Sequence, residues 1–367
     1  MSRQAVAAFT DTYLPTVNGV TYTVQSWRDC WRSRGGRMAV VYPRSDHDPA
    51  GDEFPVASAP FPFYEGFRLG TPRVPGAVED VDLVHAHTPF AVGLGGLRLA
   101  RRADLPLVVS YHTPTSEYAG YISEGWLADA VARVGNAYER WFLGRADRVV
   151  APSERAREAL VGAGIGPVSV VPNGVDTDRF APVEDGFRER YDLGDGPLVG
   201  YTGRHGFEKN LHELIDACAG LDVTLALAGD GPAQESLESR ARDSSVDARF
   251  LGFLDREELP AFYSALDAFA FPSPVETEGV VALESMACGT PVAAVAAGAL
   301  VDTVDAGETG YHYDSGDIAG FRDAIRRVLD ERERLREACL VRRESLGLDH
   351  AVDRLEGVYA EVTDRAG

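Results

Sequence analysis

Residues 198–219 read LVGYTGRHGFEKNLHELIDACA, an apolar run followed by a glycine-rich loop and an amphipathic stretch. The run 198–201 predicts a strand and the stretch 212–219 a helix, and the same alternation recurs before and after them. Fully apolar strands that alternate with helices are typical of parallel sheets covered on both faces. Two such series are separated by the stretch 172–197, which is rich in Pro, Gly and Asp. The sequence therefore predicts an α/β protein with two Rossmann-like, doubly wound domains.

The length of the chain supports this division. At 367 residues it exceeds what one hydrophobic core usually organises. We expect a first domain over 1–176, a second over 177–351, and a final helix of about 352–367 that packs back on the first domain. Ligands of doubly wound domains bind at the carboxyl ends of the strands, so a cleft between two facing domains is the expected site.

The apolar runs and amphipathic stretches predict individual elements. The predicted strands are 4–10, 37–42, 82–86, 105–111, 148–151 and 169–171 in the first series, and 198–201, 223–228, 248–251, 268–271 and 291–294 in the second. The predicted helices are 20–34, 90–102, 127–143 and 154–162, then 212–219, 234–242, 257–266 and 280–288. The loop after the first strand has no G-x-G-x-x-G fingerprint, which argues against hydride transfer by a Rossmann dehydrogenase.

Composition excludes several protein classes. Hydrophobic residues make up 45% of the chain and charged residues 25%, as in an ordinary soluble globular protein. No apolar stretch approaches the ~18 residues of a membrane-spanning helix, and the N-terminus does not resemble a secretory signal. The cysteines are widely spaced, at Cys30, Cys218, Cys288 and Cys339. We therefore expect reduced thiols in a cytoplasmic protein rather than a metal site or a disulfide framework.

The net charge of −21 argues against nucleic acid as a partner, because a polyanion would be repelled. Lys209 is the only lysine, and the other 35 basic residues are arginine, as in acidic proteins of salt-loving organisms. Residues 1–176 hold 17 basic and 19 acidic residues, whereas 177–367 hold 19 and 38. The first half is thus suited to face an anionic membrane, although two domains with different surfaces explain the asymmetry equally well.

The loop 203–210 brings together the cations Arg204 and Lys209. A diphosphate leaving group gains charge as its bond to a sugar breaks, and needs fixed cations and backbone N–H donors at that point. Arg204 can bind two phosphate oxygens, and Lys209 supplies a compact charge. The loop therefore predicts a diphosphate site, and the alternative is a surface lysine beside a helix start. We expect His205 to face solvent.

The stretch 272–292 carries Glu276 before a predicted helix and Glu284 about two turns along it. Two carboxylates at this spacing can hold two hydroxyl-bearing parts of one extended ligand. The alternative is a solvated acidic helix start, which the helix dipole favours. Glu278 adds a third carboxylate without an assigned role. A glycoside hydrolase would need two carboxylates about 5–9 Å apart and would give no reason for the two cations.

Several motifs occur together along nearly the whole chain. They are Asn18-Gly19-Val20, His85-Ala86-His87-Thr88-Pro89, Tyr111-His112-Thr113-Pro114, the stretch 171–176 with Phe180, the loop 203–210, Gly229-Asp230-Gly231-Pro232 and the block 276–292. In this combination the chain resembles the retaining family-4 nucleotide-sugar glycosyltransferases of the GT-B fold. Glu276-Thr277-Glu278-Gly279 and the loop 60–69 look like the branch of lipid hexosyltransferases and mannosyltransferases, although an aromatic residue is common at the place of Glu278.

The resemblance implies roles for individual residues. Arg204 and Lys209 would neutralise the donor diphosphate, and Gly19 would let the backbone approach it. Glu276 would meet the sugar hydroxyls and Glu284 the ribose hydroxyls. The implied catalytic residues are His112, which would lie beside the reacting sugar carbon, with Glu276, Arg204 and Lys209. The further residues implied are Phe253, Leu254, Gly279 and Val280 for donor binding, and Tyr13, Tyr64 and Arg68 on the acceptor side.

Two features bear on metals and membranes. His85 and His87 alternate at a strand end, but no third ligand is apparent and the family that the chain resembles works without a bound metal, so neither a metal nor a cofactor is expected. The basic amphipathic stretches 93–102 and 138–145 are of a kind that binds anionic membranes. The alternative is that each stretch packs on its own sheet with arginines at the rim.

The sequence thus predicts an enzyme that transfers a hexose, with retention, from a UDP- or GDP-linked sugar to a hydroxyl acceptor. The expected acceptor is a membrane glycolipid or a lipid-linked precursor. The enzyme would act in the cytoplasm, with peripheral association at the inner face of the cell membrane left open. Two alternative functions also involve a nucleotide sugar. One is an epimerase of the same fold, and the other is a non-catalytic nucleotide-sugar-binding protein.

Overall fold

A computed structural model describes residues 3–61, 67–112 and 126–366, without the side chains of 126–132 and 366. The chain forms two compact units, one of residues 1–173 with 351–367 and the other of residues 174–350. The expected boundary lay at 176. The chain changes units at Asn173 because the Trp27 indole donates a 2.8 Å hydrogen bond to the Asn173 carbonyl, whereas Val175 pairs by its backbone with Leu346 and Leu348 of the second unit.

The first unit is built on a parallel sheet. Its strands are β1 (Ala5–Phe9), β2 (Arg37–Pro43), β3 (Glu53–Val56), β6 (Leu83–Ala86), β7 (Leu107–Ser110), β8 (Arg148–Ala151) and β9 (Val168–Val170), and β4 (Ser58–Pro60) and β5 (Arg68–Gly70) form a separate antiparallel pair. In the described ranges, the strand order of the large sheet is β3-β2-β1-β6-β7-β8-β9. Because helices cover both faces, central strands such as β1 are buried and read as continuous apolar runs.

The helices of the first unit connect these strands. They are Gly19–Ser33, Ala91–Ala103, Trp126–Leu143 and Glu154–Gly162, with a 3-10 turn at Gly76–Val78. Trp27 and Trp31 on the first helix are fully buried, as are Val92 and Leu99 on the second. Each helix therefore contributes an apolar face to the core of this unit.

The second unit repeats the same design. Its strands are β10 (Leu198–Thr202), β11 (Thr224–Ala228), β12 (Asp247–Gly252), β13 (Ala268–Phe271), β14 (Val292–Val295) and β15 (Gly310–Tyr313). Its helices are Phe187–Arg190, Leu211–Cys218, Gln234–Ser244, Leu259–Ala265, Val280–Ala287, Leu300–Thr303, Ile318–Asp330 and Arg332–Arg342, with 3-10 turns at Phe207–Lys209 and Arg343–Leu346. The described strands pair in parallel in the order β12-β11-β10-β13-β14-β15.

Both strand orders reverse direction once. The reversal lies between β1 and β6 in the first unit and between β10 and β13 in the second. At such a switch point the connections on either side run to opposite faces of the sheet and leave a crevice at the carboxyl ends of the two strands. The prediction of two doubly wound domains is confirmed.

The last helix, Leu348–Ala366, runs from the second unit to the first. Tyr359 is buried there, with its ring edge-on to Trp31 at 5.2 Å and its hydroxyl 2.6 Å from His85 Nδ1. At the surface, Arg34 and Arg148 each lie 2.6 Å from a carboxylate of this helix. The helix therefore combines a buried polar contact with exposed ion pairs.

The buried contact predicts a stability effect. Tyr359→Phe removes the hydroxyl and leaves a buried imidazole nitrogen without its partner, which should lower the free energy of unfolding by about 1–3 kcal/mol in urea titrations. Glu361→Gln on the same helix breaks the exposed pair with Arg148 and should cost about 1 kcal/mol or less. Equal losses in the two variants would contradict this assignment.

Candidate functional site

The loops at the carboxyl ends of the second sheet carry the motifs singled out in the sequence. Residues 203–210 follow β10, 229–232 follow β11, 253–254 follow β12, and 272–279 follow β13. Because the strands are parallel, all of these loops lie at one edge of the sheet. The candidate residues of the second unit are thus gathered at one edge by the topology alone.

An ion pair joins two of these loops at the switch point. Lys209 Nζ lies 2.8 Å from Glu276 Oε1 and 3.5 Å from Ser273 Oγ. The Lys209 side chain is 21% exposed and that of Glu276 18%. Lys209 ends a short 3-10 turn, and Asn210 in the left-handed conformation then starts the helix Leu211–Cys218. The structure therefore brings together the lysine and the first glutamate that the sequence analysis singled out.

Arg204 lies on the same loop, one residue after Gly203. Its Nη1 is 4.0 Å from Glu208 Oε1, and its carbonyl accepts a long, 3.5 Å hydrogen bond from the Tyr201 hydroxyl. About a third of the Arg204 side chain is exposed. The guanidinium is therefore held by a partner at salt-bridge distance and remains in contact with solvent.

His205 lies inside the protein, and the expectation that it faces solvent is wrong. Its ring is fully buried, and Nδ1 lies 2.5 Å from Gln234 Oε1. Its backbone also bonds to Asp230 and Ala233. The loop after β11 lies close to it, since a Cβ at Gly231 would lie only 2.6 Å from the His205 carbonyl oxygen. His205 therefore ties the loops after β10 and β11 together.

Glu284 occupies a different environment from Glu276. It is buried on the helix Val280–Ala287, and the Tyr263 hydroxyl donates a 2.8 Å hydrogen bond to its Oε2. Burial raises the pKa of Glu284 to about 7, although this hydrogen bond and the charges of Arg256 and Arg179 act in the opposite direction. Glu284 is thus more deeply buried than Glu276, whose side chain is 18% exposed.

The start of this helix fits closely against its neighbours. Gly279, at φ +81°, begins the helix, and a Cβ there would lie 2.6 Å from Leu300 Cδ2. Val280 follows it and is partly exposed. Glu278 is buried, and its carbonyl accepts a 2.5 Å hydrogen bond from Thr303 Oγ1. No role for the Glu278 carboxylate follows from these contacts.

The loop after β12 offers one exposed and one buried side chain. Phe253 is 61% exposed, whereas Leu254 is buried. Leu254 therefore anchors the loop in the core of the second unit, and Phe253 remains at its surface. Their implied contact with a nucleotide base stays a prediction.

Three imidazoles cluster in the first unit at the ends of β6 and β7. His85 and His87 stack at 4.1 Å between ring centroids, His87 and His112 at 5.4 Å, and all three lie near the Trp27 ring. Burial lowers the pKa of His85 to about 3 and that of His112 to about 4, and lowers that of His87 as well. The cluster is therefore neutral at pH 7.

Asp11 is a residue that sequence reasoning missed. It follows β1 at the switch point of the first sheet, where its carboxylate accepts hydrogen bonds from Thr88 Oγ1 at 2.7 Å, Val92 N at 2.8 Å and Gly93 N at 3.2 Å. Its own side chain thereby occupies the N-terminus of the helix Ala91–Ala103. An acidic residue directly after the first apolar strand is the signal that could have found it.

Gly19 has room for a side chain at its Cα. It begins the helix Gly19–Ser33 after Asn18, whose Oδ1 accepts a 2.9 Å hydrogen bond from Thr21 N. A Cβ at Gly19 would have no neighbour within 4 Å. No described neighbour therefore requires glycine at this position.

The three acceptor-side candidates lie in different surroundings. Tyr13 is buried, and its hydroxyl donates to Glu53 Oε1 at 2.8 Å and accepts from Arg28 Nη1 at 2.7 Å. Arg68, on β5, donates a 2.9 Å hydrogen bond to Ser58 Oγ. Tyr64 falls outside the described residues. Tyr13 and Arg68 thus have different partners, and the acceptor-side role of all three candidates stays a prediction.

The basic stretches are largely packed into the first unit. Leu97 and Leu99 of the helix Ala91–Ala103 are buried, as is Phe142 of the helix Trp126–Leu143. Trp141 is 42% exposed and carries the Arg145 guanidinium 3.8 Å from its ring centroid. Among the described residues, no helix has the length and apolarity needed to cross a membrane, and no group of three or more His, Cys, Asp or Glu could hold a metal ion.

Comparison with known proteins identifies the family. The family model for Glycosyltransferase Family 4 matches residues 17–179, and that for Glycosyl transferases group 1 matches residues 184–339. A GDP-mannose-dependent alpha-mannosyltransferase from Mycobacterium tuberculosis (strain CDC 1551 / Oshkosh) is 32% identical over 379 residues, covering 98% of this chain and 97% of the relative. The chain belongs to glycosyltransferase family 4.

Two further similarities support this family and its fold. An alpha-monoglucosyldiacylglycerol synthase from Streptococcus pneumoniae (strain ATCC BAA-255 / R6) is 29% identical over 313 residues, covering 79% of this chain and 70% of the relative. The sucrose-phosphate synthase of Thermosynechococcus elongatus matches with a TM-score of 0.81 at 22% identity, covering 99% of this chain and 100% of that one. The chain spans 60–98% of the length of the curated relatives that it matches. This family-4 protein is a glycosyltransferase with the GT-B fold.

The two family models divide the candidate residues of the glycosyltransferase. The family-4 range includes Gly19 and His112, and the group-1 range includes Lys209, Glu276 and Glu284. Their individual roles stay predictions, as do the retaining mechanism and an origin in a salt-loving organism.

The buried Glu284 carboxyl of this glycosyltransferase should make its free energy of unfolding depend on pH. Because the pKa of Glu284 is raised from 4.5 to about 7 on folding, the folded state binds the proton more tightly, and the free energy of unfolding should fall as pH rises through that window. Glu284→Gln should flatten this slope in urea titrations. Above pH 7 the variant should be more stable than the wild type by on the order of 3 kcal/mol.

Glu333→Gln is the matched control, because the Glu333 side chain is 80% exposed. It should leave the pH dependence of unfolding unchanged. An unaltered slope between pH 4.5 and 7 in Glu284→Gln would show that another group carries the proton linkage.

Proposed function

We propose that this glycosyltransferase moves a hexose, with retention, from a UDP- or GDP-linked sugar to a hydroxyl acceptor. The observation that carries the proposal is the 2.8 Å contact between Lys209 and Glu276 at the switch between β10 and β13. Ligands of doubly wound sheets bind at such a point. The name of the mycobacterial relative, which includes GDP-mannose, also supports a nucleotide-sugar donor.

Donor binding would use the cations and carboxylates of this edge. Lys209 is bound to Glu276 at 2.8 Å, and its weak 3.5 Å contact with Ser273 can be exchanged for a phosphate oxygen. Arg204 would bind the diphosphate from the same loop. Glu276 would accept from sugar hydroxyls, and Glu284, once ionised, from ribose hydroxyls.

The chemical step would depend on stabilising the leaving group. As the bond between the anomeric carbon and the diphosphate oxygen breaks, negative charge grows on the diphosphate, where Arg204 and Lys209 stabilise it. The acceptor hydroxyl attacks from the same face, and a diphosphate oxygen takes its proton. Retention then needs no protein nucleophile. Two fixed cations also supply the charge that a divalent metal would otherwise provide, so we propose a metal-independent reaction.

We propose a membrane glycolipid or a lipid-linked precursor as the acceptor. The name of the streptococcal relative, which includes diacylglycerol, supports this choice, as does the sequence Glu276-Thr277-Glu278-Gly279. Peripheral binding to an anionic membrane would use exposed aromatic and basic groups. Trp141, stacked on Tyr138 at 5.6 Å and covered by Arg145, is the described residue that best fits this role.

Removal of the lysine tests the assigned diphosphate site. Lys209→Ala should lower kcat/KM for transfer at least about 100-fold, because a cation facing the leaving group is lost. Lys209→Arg should retain part of the activity, since the charge remains. The assay supplies several nucleotide sugars and a total lipid extract, in the presence of a chelator, and detects products by mass spectrometry.

Arg326→Ala is the matched control for this test. Arg326 is an exposed cation paired with Asp323 on the helix Ile318–Asp330, and its loss should not change turnover. A reaction with the nucleotide sugar alone would reveal an epimerase. Wild-type transfer by Lys209→Ala would make the diphosphate assignment wrong.

Gly19 provides a second test, in which stability and activity should separate. A Cβ at Gly19 meets nothing within 4 Å. Gly19→Ala should therefore leave the free energy of unfolding unchanged or raise it by up to about 1 kcal/mol. If the backbone approaches the donor diphosphate here, the added methyl group should raise KM for the nucleotide sugar about tenfold or more. An unchanged KM would remove Gly19 from the donor site.

A further inference from the structure

The histidine cluster of the first unit contains a ring that the proposed reaction does not use. His87 lies between His85 and His112, stacked on both, and is 1% exposed. Its Nδ1 lies 3.1 Å from His112 Nε2. His85 is instead bound by hydroxyl groups, with Tyr359 at Nδ1 and Ser110 at Nε2. His87 is therefore the member of the cluster whose ring contacts the predicted catalytic histidine by a hydrogen bond.

The contact between His87 and His112 joins two neutral rings. Burial lowers the pKa of both groups, so at pH 7 each ring carries one proton on one of its nitrogens. Two arrangements satisfy the 3.1 Å contact. In one, His112 Nε2–H donates to His87 Nδ1; in the other, His87 Nδ1–H donates to His112 Nε2.

The second nitrogen of His87 distinguishes these arrangements. His87 Nε2 is buried and has no hydrogen-bond partner within the part of the chain that is described. If His112 were the donor, the proton of His87 would lie on this nitrogen as an N–H group without an acceptor. Orphaned buried N–H groups are rarer in proteins than under-satisfied acceptors. If His87 Nδ1–H is the donor, Nε2 carries no proton, and the only unsatisfied group is its acceptor lone pair.

We infer that His87 is a positioning residue that donates from Nδ1–H to His112 Nε2 and so holds His112 in the Nδ1–H tautomer. The inference rests on the proposed function only in the role given to His112. In that tautomer His112 presents an N–H donor from Nδ1. It would therefore recognise a sugar oxygen that accepts a hydrogen bond, and the hydroxyl proton would point elsewhere. The tautomer of His112 thus determines whether it donates a hydrogen bond to the donor sugar or accepts one from it.

Asparagine and glutamine at position 87 form a matched pair for the test. An Asn amide nitrogen can occupy the place of the imidazole Nδ1 and donate to His112, whereas the longer Gln side chain carries its amide at the place of Nε2. His87→Asn should therefore preserve the tautomer of His112, and His87→Gln should lose it. Both variants introduce a neutral amide at the same buried position.

The measurement is a long-range ¹H–¹⁵N correlation spectrum of the ¹⁵N-histidine-labelled protein, with the His112 signals assigned by comparison with His112→Gln. We expect the Nδ1–H pattern in the wild type and in His87→Asn, and a shift toward Nε2–H in His87→Gln. In donor titrations, KM for the nucleotide sugar should rise about tenfold or more in His87→Gln and by much less in His87→Asn.

The wild-type spectrum alone can overturn the inference. An Nε2–H pattern for His112 would reverse the assigned donor, even if neither variant folds. An unchanged Nδ1–H pattern in a folded His87→Gln would show that His87 does not set the tautomer. Failure of the proposed function would look different, because the spectra would agree with expectation while the wild type transferred no sugar.

Discussion

The ion pair between Lys209 and Glu276 depends on one constraint, the reversal of strand order between β10 and β13. Parallel pairing brings the carboxyl ends of both strands to one edge, and the two loops that leave them must meet there. Lys209 and Glu276 lie 67 positions apart in the sequence, and the sheet brings them together. Both side chains are mostly buried, with 21% and 18% of their surface exposed. In the proposed reaction, the pair places a cation and an anion side by side where the donor can use both.

The two units use the same topology with opposite electrostatics. In the first, Asp11 accepts the backbone N–H groups of Val92 and Gly93, so the protein supplies its own anion at the switch point. In the second, the helix Val280–Ala287 begins at Gly279, which has no side chain of its own to cap it. Lys209 binds Glu276, three residues before this helix start. This difference supports the proposal that the diphosphate binds at the loops of the second unit.

The sequence predicted the doubly wound fold because the central strands are buried on both faces and appear as apolar runs. It missed β3, where Glu53 and Pro55 interrupt the run, and β15, whose short Gly310–Tyr313 segment includes a glycine and a histidine. It singled out Lys209 as the only lysine of the chain, and Glu276 by its spacing from Glu284 within the stretch 272–292. It misplaced His205 and overlooked Asp11, since burial by a loop distant in sequence and capping of a helix some eighty positions away depend on tertiary contacts.

The return of the last helix has a consequence for how the molecule forms during synthesis. Residues 174–350 make a continuous unit, but the first unit contains both ends of the chain. Trp31 and His85 therefore leave the ribosome long before Tyr359 arrives to cover them. The second unit can complete its core before residues 351–367 of the first unit have been synthesised. Until Tyr359 is synthesised, nascent chains of this protein would thus expose the aromatic surface around Trp31, and this is where a chaperone would be needed.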